Sequence, residues 1–371
     1  MKKVFLVFGT RPEAIKMYPV FKALNEKDDI DTKIIITSQH QEMLMQVIDL
    51  FEMPVNYNLN VMEDRQTITR ITVKVLEGLK QLFVSERPDM VLVHGDTTTT
   101  FAAALASFYE KIPVGHVEAG LRTYNKFSPF PEEMNRRLAD SISDLYFAPT
   151  ARAKEALLRE GFDEHNIFVT GNTVVDALYE ILKRKAKTSA IIPFNEDEKF
   201  IIVTAHRREN WGEPMERICK AIDFLSKKYE GKLKIVFSVH KNPVVRDTVN
   251  KILGANSNVK LVEPMDYLDF IYLLSKSFFI MTDSGGIQEE APSLGKPVLL
   301  LRESTERPEA IESGAVKLVG TSFESIIKNS ELLIENKDEY KRMSNIKNPF
   351  GDGKAGARIA DIVSNYLKNG G

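Results

Sequence analysis

The chain has 371 residues, 43% of them apolar and 27% charged, with a formal net charge of -2. That composition belongs to a folded protein, excludes a disordered chain, and gives no charge-based reason to expect a nucleic-acid partner. The length exceeds one core and predicts two domains, since domains usually hold roughly 50–250 residues. Cys219 is the single cysteine, which rules out an intrachain disulfide or a cysteine-rich metal site; it reads as a buried bystander on a helix. No apolar run reaches the ~18 residues of a membrane span. The short one after Lys2 and Lys3 is interrupted by Arg11 and Glu13, unlike a signal peptide, so the expected setting is cytoplasmic with no membrane contact.

In chain order, residues 3–8 predict a strand, followed at once by Gly9-Thr10-Arg11-Pro12-Glu13 and a helix to about residue 27. A strand at 34–37, helices at 41–50 and 67–85, a strand at 90–93, an alanine-rich helix at 97–110 and a strand at 114–117 come next. A helix at 132–143 and a strand at 145–148 complete the first half. The pattern restarts with strands at 200–204, 234–239, 259–262, 278–281 and 298–301 and a helix at 214–229. Short apolar strands separated by longer helices predict parallel sheets covered on both faces. The expected fold class is α/β, two doubly wound domains facing a cleft. The domains are residues 1–171 and 172–346, with a C-terminal helical segment, 347–371, rejoining the first.

Ligands of open parallel sheets bind beyond the C-terminal ends of strands, so polar segments that directly follow strands are the candidates. Gly9 to Lys16 offers a tight turn, helix-start N–H groups and the cations Arg11 and Lys16, which suit an anion; an ordinary strand–helix junction has the same pattern. His94-Gly95-Asp96 precedes Thr97 to Thr100. Asp96 is placed either as base or as helix cap, and the threonines either line a site or supply caps. Glu118 follows a buried strand and needs a partner, for which Arg122 is the candidate. Glu132 and Glu133 open a helix, where acids are favoured in any case. In the second half, His206 with Arg207 and Arg208 suits pyrophosphate binding or acid–base work, with His240 in a similar position; Ser284-Gly285-Gly286 exposes N–H groups to phosphate, and a carboxylate at Glu289 or Glu290 suits a ribose diol. No metal-binding motif is found, and neither domain start carries the dinucleotide glycine pattern.

Taken together, seven segments resemble the non-hydrolysing UDP-N-acetylglucosamine 2-epimerase family. They are residues 9–16, Thr37-Ser38-Gln39-His40, His94-Gly95-Asp96-Thr97, residues 117–123, residues 131–136, residues 206–210 and Asp283 to Glu290, in order over nearly the whole chain. The resemblance implies two Rossmann-like domains of the B-type glycosyltransferase kind, a homodimer, no cofactor, and a place in cell-envelope polysaccharide synthesis. It implies anti elimination of UDP to 2-acetamidoglucal and re-addition with inverted C2, interconverting UDP-GlcNAc and UDP-ManNAc. Catalytic roles fall on Asp96, Glu118, Glu132 and His206, with base and acid unassigned. UDP-sugar contacts fall on Arg11, Lys16, Phe270, Ser284, Gly285, Gly286 and Glu290. A second, activating UDP-GlcNAc site would match Gln39, Arg65, Arg207 and His240, although Glu42, Ser38 and Ala205 depart from common relatives nearby. The rivals are a hydrolysing epimerase that releases ManNAc, a retaining B-type glycosyltransferase and a non-enzymatic nucleotide-sugar sensor; the acidic cluster Asp96, Glu118 and Glu132 argues for proton chemistry.

Overall fold

The computed structural model describes residues 1–38, 41–63, 67–184 and 198–370. The chain divides into two compact units, Met1–Tyr179 with Phe350–Gly371, and Glu180–Pro349.

The first unit alternates β1 (Lys2–Phe8), α1 (Arg11–Asn25), β2 (Ile30–Ile36), α2 (Gln41–Phe51), β3 (Val55–Asn58), α3 (Ile68–Glu86), β4 (Met90–His94) and α4 (Thr98–Tyr109). It continues with β5 (Val114–Val117), α5 (Glu132–Ile142), β6 (Leu145–Ala148), α6 (Ala151–Arg159), β7 (Ile167–Val169) and α7 (Thr173–Leu182). Its seven strands are all parallel, in the order β3-β2-β1-β4-β5-β6-β7. Val4 to Phe8 of β1 and Met90 to Val93 of β4 are fully buried, which explains why these strands are apolar at every position rather than alternating. Each such side chain contributes about 1.5–3 kcal/mol by leaving water. Phe5, Val7 and Val91 pack against Val75, Leu79 and Phe83 of α3 and the alanines of α4.

The second unit runs β8 (Phe200–Thr204), α8 (Glu213–Lys228), β9 (Lys234–Ser238), α9 (Pro243–Leu253), β10 (Val259–Val262), α10 (Tyr267–Lys276) and β11 (Ile280–Thr282). The helix α11 (Gly285–Glu290), β12 (Val298–Leu300), α12 (Pro308–Ser313), β13 (Val316–Leu318), α13 (Phe323–Glu335) and α14 (Lys337–Ser344) complete it. Its six-stranded sheet, β10-β9-β8-β11-β12-β13, is again wholly parallel. Cys219 lies on the buried face of α8 between Ile218 and Ile222, and burial pushes its thiol up to about 12, so it is a core residue. The last helix, α15 (Ala355–Lys368), belongs to the first unit and packs on α1, where Gly356 lies against Pro19.

The strand expected at 278–281 is displaced. Phe279 goes into the core, while the ring of Phe278 stacks on Tyr340 at 4.5 Å and leaves pairing to Ile280–Thr282. Both units are Rossmann-like. In each, the strand order reverses direction between two central strands, β1 and β4 in the first and β8 and β11 in the second. Beyond the C-terminal ends of such a pair the following loops diverge and leave room for a ligand.

Candidate active site

In the first unit, the segments after β1, β4 and β5 converge. Glu13, buried in the first turn of α1, ties two of them together. Its Oε2 accepts from Gly9 N at 3.0 Å and from Thr10 N and Oγ1 at 2.8 Å. Its Oε1 accepts from Thr97 Oγ1 at 2.7 Å and Thr100 Oγ1 at 3.2 Å. Burial raises its pKa against those donors, so Glu13 serves as a structural knot. The threonine run supplies caps and ties: Thr97 caps α4 by accepting from Thr100 N at 3.2 Å, and Thr99 bonds Thr37 at 2.8 Å.

With Thr97 as the cap, Asp96 is released for other work. One oxygen of its carboxylate accepts from Arg136 Nη2, and its carbonyl accepts from Asn135 Nδ2 at 3.0 Å. Arg136 also donates from Nη1 to the Glu118 carbonyl and lies 3.6 Å from Glu118 Oε1. Glu118 Oε2 accepts from Lys16 Nζ and from Asn172 Nδ2, the latter at 3.0 Å. The expected pairing of Glu118 with Arg122 is therefore wrong. Arg122 pairs instead with Asp140 at 2.7 Å and Glu160 at 2.8 Å, and between it and Glu118 the backbone is left-handed at both Glu118 and Gly120. Glu118 itself has φ of +66°, a left-handed conformation that is uncommon for a residue with a side chain and costs of order 1–3 kcal/mol. Its N–H bond to Phe147 O at 3.0 Å and the Arg136 bond to its carbonyl hold it there.

His94 is buried against this group, its Nε2 3.9 Å from Glu118 Oε2. Burial holds its pKa down at about 3, aided by the charges of Lys16 and Arg136, so the ring is neutral. Of the two acids that open α5, Glu133 bonds Thr123 N at 2.9 Å and Tyr124 N at 3.0 Å and so shapes the preceding loop. Glu132 is the one directed at the cluster. Burial, then the charge of Asp96, raises its pKa despite Arg136, and its Oε2 has no hydrogen-bond partner among the described residues. Arg11 is the half-buried first residue of α1.

In the second unit the organising residue is Asp283, fully buried just after β11. Its Oδ2 accepts from the backbone N–H groups of His206 and Arg207 at 2.8 Å and from Asn210 Nδ2 at 2.9 Å, binding the loop after β8 to the loop after β11. Its Oδ1 lies 3.3 Å from His206 Nδ1, which leaves Nε2 of that half-exposed ring for a ligand. His206 stacks on His240, centroids 5.3 Å apart; burial, then the charge of His206, lowers the His240 pKa. Arg207 pairs with Glu306 at 3.0 Å, which also holds Arg302 at 2.6 Å. Burial opposes the Glu306 charge, but its arginine neighbours bring its pKa down to about 2.

Ser284 stands at the N-terminal boundary of α11 next to this group without a side-chain capping bond, and a Cβ on Gly285 would come within 3.1 Å of Glu306 Oε1. A Cβ on Gly286 would meet nothing nearer than 3.9 Å. Tyr267 donates to Glu290 Oε1 at 2.8 Å, and half-buried Phe270 lies three residues further along the same helix. Gln39 and Arg65 lie outside the described residues. Among the described residues no group of three or more His, Cys, Asp or Glu is arranged to hold a metal ion, and no helix is long and apolar enough to cross a membrane.

Four residues essential to this geometry escape a chain-order reading: Glu13, Arg136, Asn172 and Asp283. Glu13, Arg136 and Asp283 stand inside segments that attracted notice for their neighbours; Asn172 carries no local signal, because its partner Glu118 is 54 residues away.

The sequence model of one family, UDP-N-acetylglucosamine 2-epimerase, matches residues 22–364. A UDP-N-acetylglucosamine 2-epimerase of Bacillus subtilis is 52% identical over 359 residues, spanning 97% of this chain and 94% of its own. Among solved structures, the UDP-GlcNAc 2-epimerase of Neisseria meningitidis bound to UDP-GlcNAc superposes with a TM-score of 0.90 at 50% identity, covering 99% of this chain and 100% of that one. The S. aureus MnaA–UDP co-structure gives 0.90 at 49%, covering 99% and 97%.

Proposed function

The chain belongs to the UDP-N-acetylglucosamine 2-epimerase family, class EC 5.1.3.14, and on that premise we propose that it inverts C2 of UDP-N-acetylglucosamine, giving UDP-N-acetylmannosamine by elimination and re-addition of UDP. The observation that carries this reading is the acid cluster of the first unit. Two carboxylates paired with cations, Asp96 and Glu118, stand with Glu132, whose carboxyl is biased towards its protonated form. Carboxyl groups held in such different surroundings suit the removal and return of a weakly acidic C–H proton.

Asp96 is one-third exposed and oriented by Arg136, so it takes the C2 proton. The C1–oxygen bond breaks in the same event, and UDP leaves with the electron pair, forming 2-acetamidoglucal. Glu132 then delivers its proton to the other face of C2 as the UDP oxygen re-adds to C1. One proton is taken up and one given, and exchange with solvent resets both carboxyls. Glu118, far less exposed, keeps Lys16 and Arg136 in place. His206, Arg11 and Lys16 offset the charge that develops on the β-phosphate. Ser284, Gly285 and Gly286 receive the phosphates, Glu290 the ribose hydroxyls and Phe270 the uracil. The ligands of the two relatives, UDP-GlcNAc and UDP, support this assignment. A second UDP-GlcNAc site involving Arg207 and His240 belongs to the same reading, and predicts that UDP-ManNAc turnover rises when a little UDP-GlcNAc is added.

The deciding experiment is proton NMR of the protein with UDP-GlcNAc in deuterated water. UDP-ManNAc carrying deuterium at C2 supports the two-carboxyl scheme. Free ManNAc with UDP replaces it with a hydrolysing reaction, and an unchanged spectrum with both UDP-sugars present overturns it.

A further inference from the structure

His116, on β5, lies wholly inside the first unit and is no part of the acid cluster, yet both of its ring nitrogens are occupied. Nδ1 is 2.6 Å from Asp140 Oδ1, and Nε2 is 2.7 Å from the carbonyl oxygen of Gly95. A carbonyl oxygen accepts and never donates, so Nε2 carries a hydrogen. A neutral imidazole with that hydrogen would turn the lone pair of Nδ1 towards Asp140, which is tolerable only if Asp140 is protonated. The Arg122 guanidinium argues against a protonated Asp140. It pairs with Oδ2 at 2.7 Å and, although burial works against the charge, helps hold the Asp140 pKa below the usual carboxylate value. Asp140 is thus an acceptor, and the ring needs a hydrogen on each nitrogen.

The other charged or titratable groups around the pair are few. Tyr146 on β6 has its phenol raised by burial and by Asp140. Glu160 braces Arg122 from behind at 2.8 Å, and His94 on the neighbouring strand is held neutral chiefly by burial.

We propose that His116 is a positioning residue, kept as a buried imidazolium by Asp140, that clamps the Gly95 carbonyl and thereby fixes the Asp96 carboxylate in its reacting orientation. Gly95 is in the left-handed conformation, φ +70°, and its N–H is bonded to Val117 O at 2.9 Å. The His116 bond secures the other side of the same residue, so the turn that carries Asp96 is gripped at both ends. The grip comes from a charged donor, which is about twice as strong as a neutral one. Asp140 and Asp96 are in turn both linked to α5, through Asp140 itself and through Arg136, so strand, turn and helix form one closed circuit.

This inference rests on the role given to Asp96 above, and its test separates the two. In the full chain labelled with 15N-histidine, a long-range proton–nitrogen correlation at mildly alkaline pH reports ring protonation without substrate. The expected result is one histidine, absent from His116→Gln, with both nitrogens at the protonated shift. In Asp140→Asn that signal changes to the neutral pattern. In turnover, His116→Gln lowers kcat about 100-fold, the size expected from misplacing a reacting group by about an ångström, and leaves KM within about twofold. A pyridine-like nitrogen on His116 in a wild-type enzyme that epimerises overturns this inference alone, as does a His116→Gln variant with unchanged kcat. A wild type that does not epimerise sinks the reaction assigned to the site and leaves the charge measurement standing.

Discussion

At the scale of single residues the first unit separates three acids by what surrounds them. Glu118 has Lys16, Asn172 and Arg136; Asp96 has Arg136; Glu132 has burial and the repulsion of Asp96. The direction for Glu132 is upward, so it retains its proton to higher pH than an ordinary glutamate and loses it as pH rises further. A step that needs protonated Glu132 therefore weakens on the alkaline side. Glu132→Gln is expected to lower kcat by about 10²–10⁴-fold with little change in KM, and to remove that alkaline limb from whatever rate remains. Steady-state rates across pH check both points; an unaltered limb in the variant would assign it to another group. The identities of these residues were legible in the sequence because each acid directly follows a strand or opens a helix. Their partners were not. Arg122 is four residues from Glu118 but bonds Asp140, whereas Lys16 and Asn172 reach Glu118 from far along the chain. A carboxylate chooses its cation through tertiary geometry, which local spacing does not encode.

At the scale of elements, the strands and helices with one uninterrupted pattern were readable, and β5, β6, β8 and β10 fall at the expected residues. What escaped were helices such as α6, α9, α10 and α13, and the three-residue strands β7 and β13, too short to show a period. The docking of α15 is an element-level contact with one critical position. A Cβ on Gly356 would lie 2.6 Å from the Pro19 carbonyl oxygen, and backbone cannot yield as a flexible side chain would. Pro19 stands inside α1, so the contact sits on a stretch of helix already constrained. Gly356→Ala is expected to destabilise the first unit by more than about 1 kcal/mol, despite the better helix propensity of alanine. Urea unfolding measures the loss, and faster tryptic cleavage after Lys354 or Arg358 would locate it in the docking of α15. A variant as stable as the wild type would mean that α15 shifts without penalty.

At the scale of the whole molecule, the chain leaves the first unit through α7 and returns to it at Phe350, and the two crossings are bonded to each other. Asn172 N donates to the Phe350 carbonyl at 2.6 Å, and Asp176 Oδ1 accepts from Gly356 N at 2.8 Å. The remaining oxygen of Asp176 has no partner among the described residues, and burial raises its pKa from 3.8 to about 6, against the backbone donors that favour its charge. Between pH 3.8 and about 6 the folded chain holds a proton on Asp176 that the unfolded chain has released. Folding is therefore favoured by this group at low pH, and that contribution is lost as pH rises through about 6. The full difference is of order 3 kcal/mol, at about 1.4 kcal/mol per pKa unit. Asparagine keeps the oxygen that receives the Gly356 N–H and has no charge to bury. Asp176→Asn is expected to be more stable than the wild type near neutral pH by up to about 3 kcal/mol, with the gap closing below about pH 4. Urea melts of both proteins across that range decide it. A gap that stays constant with pH would show that the substitution acts through packing, and a variant weaker at neutral pH would show that the ionised carboxylate secures the returning chain better than the neutral amide does.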